Sequence, residues 1–173
     1  MQVDSKKYDA ACHDKFRALT VKQPYANDLV TAAYKDDNGN IIGVKSIEVR
    51  SKNTQYRGDI LICSSKSPVL PGMESGVTLG FVELYDVKPI SEFTPEDWEN
   101  TRIPEEKRKN ITKGYGWIMR NPRRVLEYPV KGQLGIYNLV YTKGEIIQYP
   151  QSVVMDKKGW EQIKKSINNG KIA

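Results

Sequence analysis

Apolar and polar positions along the chain fall into short extended runs separated by turn residues, with three helical stretches among them. ALTV at 18–21 reads as a strand. Pro24 suits the first turn of a helix, and the pattern carries that helix to about Tyr34 with Leu29, Val30 and Ala33 available for burial. Asn38-Gly39 is a strong turn signal. SIEVRS at 46–51 is the next strand, and DILICS at 59–64 is an apolar run short enough to be a buried one. SKSPVLPGMESG, with two prolines and two glycines, is a loop. VTLGFVELYDVKPI is a long strand in which Gly80 marks a bulge or a close backbone approach.

Thr94 caps the acidic helix PEDWENT, with Pro95 at its first position and Asp97 at its third. YGWIMR and GQLGIYNLVY are further strands joined through NPRRVLEYPVK. Beyond Lys143, Asp156 caps a last helix that ends at Asn169-Gly170. Its stripe of Trp160, Ile163 and Ile167 is expected to dock on the domain. Many short strands with few helices in mixed order predict an α+β fold, a small mixed barrel rather than a parallel α/β sheet. Closing the sheet would gather strand ends around a mouth. The chain divides into an N-terminal extension (1–16), one domain (17–142) and a C-terminal extension with one helix (143–173).

Composition narrows the chemistry. No apolar run approaches the roughly 18 residues that span a membrane, and the opening MQVDSKKYDAACHDK lacks a signal-peptide core. Cys12 and Cys63 form no CxxC pair, and His13 is the only histidine, so a zinc site and any cofactor are not expected. The expectation is a reduced, cytoplasmic protein with Cys63 as strand filler. His13 sits in a polar stretch expected to be loosely held, which disfavours histidine-based nucleophilic catalysis.

Net charge is +6, but residues 107–131 alone sum to +7, so the rest of the chain sums to −1. An acidic stretch at 91–106 precedes this basic block. The two either neutralise each other or polarise the surface toward phosphates.

Two strands carry candidate chemistry. In SIEVRS, alternation puts Ser46, Glu48 and Arg50 on one face. That face is either a solvated one, as antiparallel sheets often have, or the polar wall of a cleft. In GYGWIMRNPRR, Tyr115, Trp117 and Met119 share a face, with Arg120, Arg123 and Arg124 just beyond. Aromatics interleaved with cations can stack bases while tracking a backbone. The alternative is a core face for Trp117 and solvated loop charges for the arginines.

LTVKQPYANDLV, GVKSIEVRS, YRGDILICSSK, LGFVELYDVKPI and YGWIMRNPRRVLEYPVKGQLGIYNL, in that order over about residues 18–140, resemble the ASCH domain. The resemblance implies a PUA-like barrel of five to six strands with helices flanking a cleft, and a partner among RNA, single-stranded nucleic acid or a modified nucleoside. It implies a cleft lined by Lys22 and Gln23, then Lys45, Glu48, Arg50 and Ser51, then Ser64, Ser65 and Lys66. Lysine and arginine there would hold phosphates, whereas Glu48 would accept from a base amino group or hold Arg50.

The resemblance also brings in a catalytic alternative. One bacterial branch of ASCH-like proteins hydrolyses the amide of N4-acetylcytidine with a lysine, a threonine and a glutamate. Lys45 stands at the lysine, but Glu48 stands where that branch has its threonine. Catalysis would then need Ser46 as nucleophile with Lys45 as base, or Glu48 activating a water with Lys45 or Arg50 steadying the oxyanion. No clustered Asp/Glu set suits a two-metal nuclease. A third reading treats residues 91–131 as a charged protein-docking surface.

Overall fold

A computed structural model describes residues 1–153 and 155–168. Among them the fold is mixed α+β, with four helices, an eight-stranded mixed sheet and a separate hairpin. The strands are β1 (Gln2–Val3), β2 (His13–Val21), β3 (Ala32–Lys35), β4 (Ile41–Gly43), β5 (Ile47–Arg50), β6 (Gly58–Ser64), β7 (Thr78–Pro89), β8 (Tyr115–Arg124), β9 (Ile136–Thr142) and β10 (Tyr149–Pro150). The helices are α1 (Tyr25–Leu29), α2 (Pro95–Thr101), α3 (Glu105–Arg108) and α4 (Lys157–Asn168).

The sheet runs β1-β9-β2-β6-β7-β8-β10, with β5 also on β8. It is open, not the closed barrel that the strand order and the family resemblance led us to expect. The reason lies in β2, whose two edges are taken by β9 (antiparallel) and β6 (parallel). That leaves β5 no edge to pair with there. The curl of the sheet still brings β5 back toward β2, where a side chain rather than a ladder makes the link: Arg50 Nη2 donates to the Thr20 carbonyl at 2.9 Å. A cleft occupies this seam.

Both faces of the sheet centre are buried, as expected for strands that read as continuous apolar runs. Alternation along β6 sends Ile60 and Ile62 into one cluster with Leu19, Val82, Trp117 and α1. Leu61 and Cys63 go to the other, with Phe81, Tyr137 and Tyr141. Burial pushes the Cys63 thiol up to about 12, consistent with an inert filler.

Gly80 on β7 has the close approach its position in the pattern suggested. A Cβ there would stand 2.4 Å from the Arg123 carbonyl oxygen, which is backbone and cannot swing away. Gly80→Ala is expected to destabilise the fold by about 1–3 kcal/mol, the usual range for overpacking. Urea denaturation checks this, and an unchanged midpoint would contradict it.

Three local differences from the sequence reading have physical causes. The first helix stops at Leu29 instead of Tyr34. Thr31 Oγ1 bonds back to the Asn27 carbonyl at 2.6 Å, and the chain then enters the β3–β4 hairpin. Asp36 and Asn40 brace the hairpin turn, and Gly39 supplies φ +82. Leu29, Val30 and Ala33 are buried nonetheless. Second, β8 runs on through Asn-Pro-Arg-Arg, expected as a connection. Asn121 takes a positive φ of 55°, and the Pro122 carbonyl accepts from Gln151 Nε2. Third, the N-terminal stretch is tied down: β1 pairs with β9, and β2 begins at His13, whose Nδ1 accepts from the Asp9 N–H.

α2 starts at the expected cap, Thr94, which forms a capping box with Asp97 by exchanging side-chain to backbone hydrogen bonds. α4 lies against β3, its first turn capped by Asp156, and Lys157 pairs with Glu96. Trp160 and Ile163 are partly buried, whereas Ile167 is 49% exposed. The expected stop at Asn169-Gly170 lies outside the described residues.

Candidate functional site

The seam between β2 and β5 opens into a cleft of 440 Å³, within the roughly 300–1,000 Å³ range of small-ligand sites. The end of β2 and the turn after it contribute Thr20, Val21 and Lys22, and α1 contributes Tyr25. Lys45, Glu48, Arg50 and Ser51 come from around β5, Ser65 from beyond β6, and Ile103, Gln133 and Leu134 from loops.

Glu48 organises the floor. Its Oε1 lies 3.3 Å from Lys45 Nζ, and its Oε2 accepts from Arg50 Nε at 3.1 Å. A carboxylate has about four lone-pair sites, so Oε1 can take one donor more, while Oε2 faces both Nε and Nη2 of Arg50. Arg50 spans the seam by reaching Glu48 and the Thr20 carbonyl at once. Its Nη1 has no protein partner among the described residues.

Lys45 is buried beneath this pair, 2% exposed. Its Nζ donates to the Ile47 carbonyl at 2.7 Å and the Thr101 carbonyl at 2.6 Å, with Glu48 as its third neighbour. Three acceptors match the three protons of an ammonium. Thr101 is the last residue of α2, so the cation also meets the negative end of that helix and satisfies a carbonyl the helix leaves unpaired. Desolvation pulls the Lys45 pKa below its ordinary value, opposed by Glu48 and then Asp28.

The Tyr25 ring lies 5.0 Å from Lys45 Nζ. Burial raises its phenol pKa, with Glu48 and Asp28 adding to the shift. Tyr25 therefore stays a neutral hydroxyl, a donor and acceptor beside the Glu48 carboxylate.

Lys45 and Glu48 would face opposite ways in a regular strand three residues apart. They meet because the chain bends at Val44 and joins the β5 ladder only at Ile47, so Lys45 lies outside the regular alternation. The same irregularity removes Ser46 from the set. Its N–H donates to the Asn100 carbonyl and its carbonyl accepts from Met119 N–H, and it borders a different depression with Tyr34 and Tyr85.

The structure brings together Lys22, Lys45, Glu48, Arg50, Ser51 and Ser65, and leaves the other expected residues elsewhere. Gln23 is buried, accepting from Asn27 N–H and donating to the Glu74 carbonyl. Ser64 is buried against the Val77 backbone. Lys66 borders a neighbouring groove.

The aromatic strand lies beside the charged one, with Glu48 opposite Trp117 and Arg50 opposite Tyr115. Trp117 is only 4% exposed, however, and its Nε1 donates to the Lys52 carbonyl. Tyr115 packs half-buried against the same core.

The three arginines at the other end of β8 are engaged within the protein. Arg120 pairs with Glu83 and stacks on Tyr85, and Arg123 forks onto Asp59. Arg124 donates to Asn27 Oδ1 and Thr31 Oγ1, and burial lowers its pKa. Arg108–Glu99 joins the basic stretch to the acidic one, and Asp97 of the acidic stretch pairs with Lys88 on β7.

Sequence reasoning missed Tyr25, Thr20, Ile103, Gln133 and Leu134. Tyr25 was within reach, since it follows Lys22-Gln23-Pro24 directly. No pattern in the sequence singles out Gln133 or Leu134.

The model of the ASCH domain matches residues 19–129. This chain belongs to the ASCH family. No curated protein matches it. The ASCH domain is PUA-like, a fold often linked to RNA binding. Every strand that frames the cleft falls within the matched region or overlaps it. Among the described residues, no helix is long and apolar enough to cross a membrane, and no group of three or more His, Cys, Asp or Glu is placed to hold a metal ion.

Proposed function

We propose that this ASCH domain binds RNA, or another single-stranded nucleic acid, by taking one base or nucleoside into the β2–β5 cleft. The observation that carries the reading is Glu48, held between Lys45 and Arg50 at the floor of a cleft with room for a nucleoside-sized ligand. A fixed carboxylate with spare acceptor capacity suits the amino or imino N–H groups on a base edge, the edge that proteins read in unpaired RNA. Tyr25 offers a hydroxyl next to it. Arg50 Nη1 and the exposed Lys22 supply positive charge at the rim for the phosphates.

The amide-hydrolase alternative has less support. Position 48 has no hydroxyl, Ser46 faces away, and an ammonium with all three protons engaged is poorly placed to act as a base.

The test is the affinity for short single-stranded RNA as a function of salt, with free nucleosides as competitors. Affinity is expected to fall as salt rises, with a slope of about −0.7 per phosphate engaged, and one class of nucleoside is expected to compete. N4-acetylcytidine is expected to be returned intact. Binding absent at low salt would overturn the reading, and turnover of N4-acetylcytidine by the wild type would move the protein to the hydrolases.

A further inference from the structure

Beside the cleft lies a second depression, a groove of 420 Å³ that Lys66, Gly76, Val130 and Lys131 help to form. The two are adjacent, since Thr20, Ser65, Gln133 and Leu134 line both. Between them stands Leu134, 99% exposed. A leucine left wholly in water at the junction of two cups has no packing role within the chain. Its place is that of an apolar edge between two occupants.

The charges in this groove differ from those on β8. Lys66 and Lys131 are exposed and enter no ion pair among the described residues, as does Lys22 on the cleft side. The arginines at 120, 123 and 124, by contrast, are engaged. Thus the free cations along one side of the cleft continue into the groove.

Resting on the reading of the cleft as a nucleobase site, we infer that cleft and groove form a two-nucleotide site. The cleft takes one base and the groove takes the adjacent nucleotide of the same strand. Leu134 stands between the two bases, and Lys66 and Lys131 engage the phosphates on the groove side. Apolar side chains elsewhere part neighbouring bases in this way, and lysines along a groove track a single-stranded backbone. The fit is to unpaired strand, because a duplex would hold its bases stacked and could not spread them over two separate depressions.

The experiment compares a nucleoside, a dinucleotide and a short single-stranded RNA of mixed sequence on the wild type, on Lys66→Ala/Lys131→Ala and on Leu134→Ser. All three positions are exposed, so the fold should be kept, and a thermal melt verifies it. The wild type is expected to bind the dinucleotide at least tenfold tighter than the nucleoside. The double lysine variant is expected to lose that gain and to lower the salt slope by about 1.4, at roughly 0.7 per contact, while nucleoside affinity stays unchanged. Leu134→Ser is expected to weaken dinucleotide and RNA binding severalfold without altering the salt slope.

A nucleoside that binds as tightly as the dinucleotide, with RNA affinity indifferent to both variants, would overturn the two-nucleotide site and leave the cleft reading standing. If neither nucleoside nor RNA binds, the cleft reading falls, and the two-nucleotide site falls with it.

Discussion

Replacing Lys45 with alanine is expected to lower the unfolding free energy by about 3–5 kcal/mol, the range for breaking a buried ionic contact by removing one partner. The lysine is almost fully enclosed and its Nζ serves three acceptors from three places: the Ile47 carbonyl, the Thr101 carbonyl and Glu48. Alanine would leave all three short of a donor in a region that water enters poorly, and would open a cavity under the cleft floor. The last turn of α2 would lose the cation at its negative end. Lys45→Met keeps most of the volume but none of the donors, so it should recover only the packing share of the loss. Urea denaturation of the three proteins gives the comparison. A loss below about 1 kcal/mol for alanine would mean that Lys45 does not hold α2 to β5 as the hydrogen bonds imply.

Arg50→Ala is expected to weaken RNA binding by about 1.5–3 kcal/mol, the worth of hydrogen bonds to charged groups. That is roughly a tenfold to hundredfold loss. The change would remove a cation from the rim and free Glu48 Oε2, whose negative charge would then oppose incoming phosphates. Because the pair is partly exposed, the fold should lose little. Arg50→Lys restores the charge but cannot bridge Glu48 and the Thr20 carbonyl with one planar fork, so only part of the affinity should return. Equilibrium binding at fixed salt decides the matter, and an affinity equal to the wild type in the alanine variant would remove Arg50 from the site.

These two expectations separate the roles of neighbouring cations that look alike in the sequence. Lys45 is inside and holds elements together. Arg50 is at the edge and lines the cleft. The same division applies to the basic stretch: Arg120, Arg123 and Arg124 are held by Glu83, Asp59, Asn27 and Thr31, whereas Lys131, which lines the groove with Lys66, is exposed and enters no ion pair among the described residues. A count of cations along the chain cannot separate the two kinds, because an ion pair depends on what the fold brings opposite each one.

What the sequence determined by itself is local. Alternation marked most strands, Thr94-Pro95 with Asp97 fixed the start of α2, and Asn38-Gly39 fixed a turn, because each depends on residues within a few positions of one another. The apolar run at 59–64 was legible as a buried strand for the same reason. The family, too, was legible, from five short stretches in register, and the family match over residues 19–129 agrees with it.

Tertiary structure decided the rest. The sheet stayed open because both edges of β2 were taken, a matter of pairings between distant segments. The first helix ended at Leu29 because the chain from Ala32 pairs with Ile41–Gly43 in the β3–β4 hairpin, and Val30 is buried all the same. Lys45 joined Glu48, and Ser46 left it, because the chain bends before β5 and α2 offers a carbonyl from more than fifty residues away. Leu134 reached the cleft because the loop between β8 and β9 lies beside residues of β2 and β5 that are distant in sequence. Secondary structure follows from neighbours along the chain, whereas a site is made by neighbours in space.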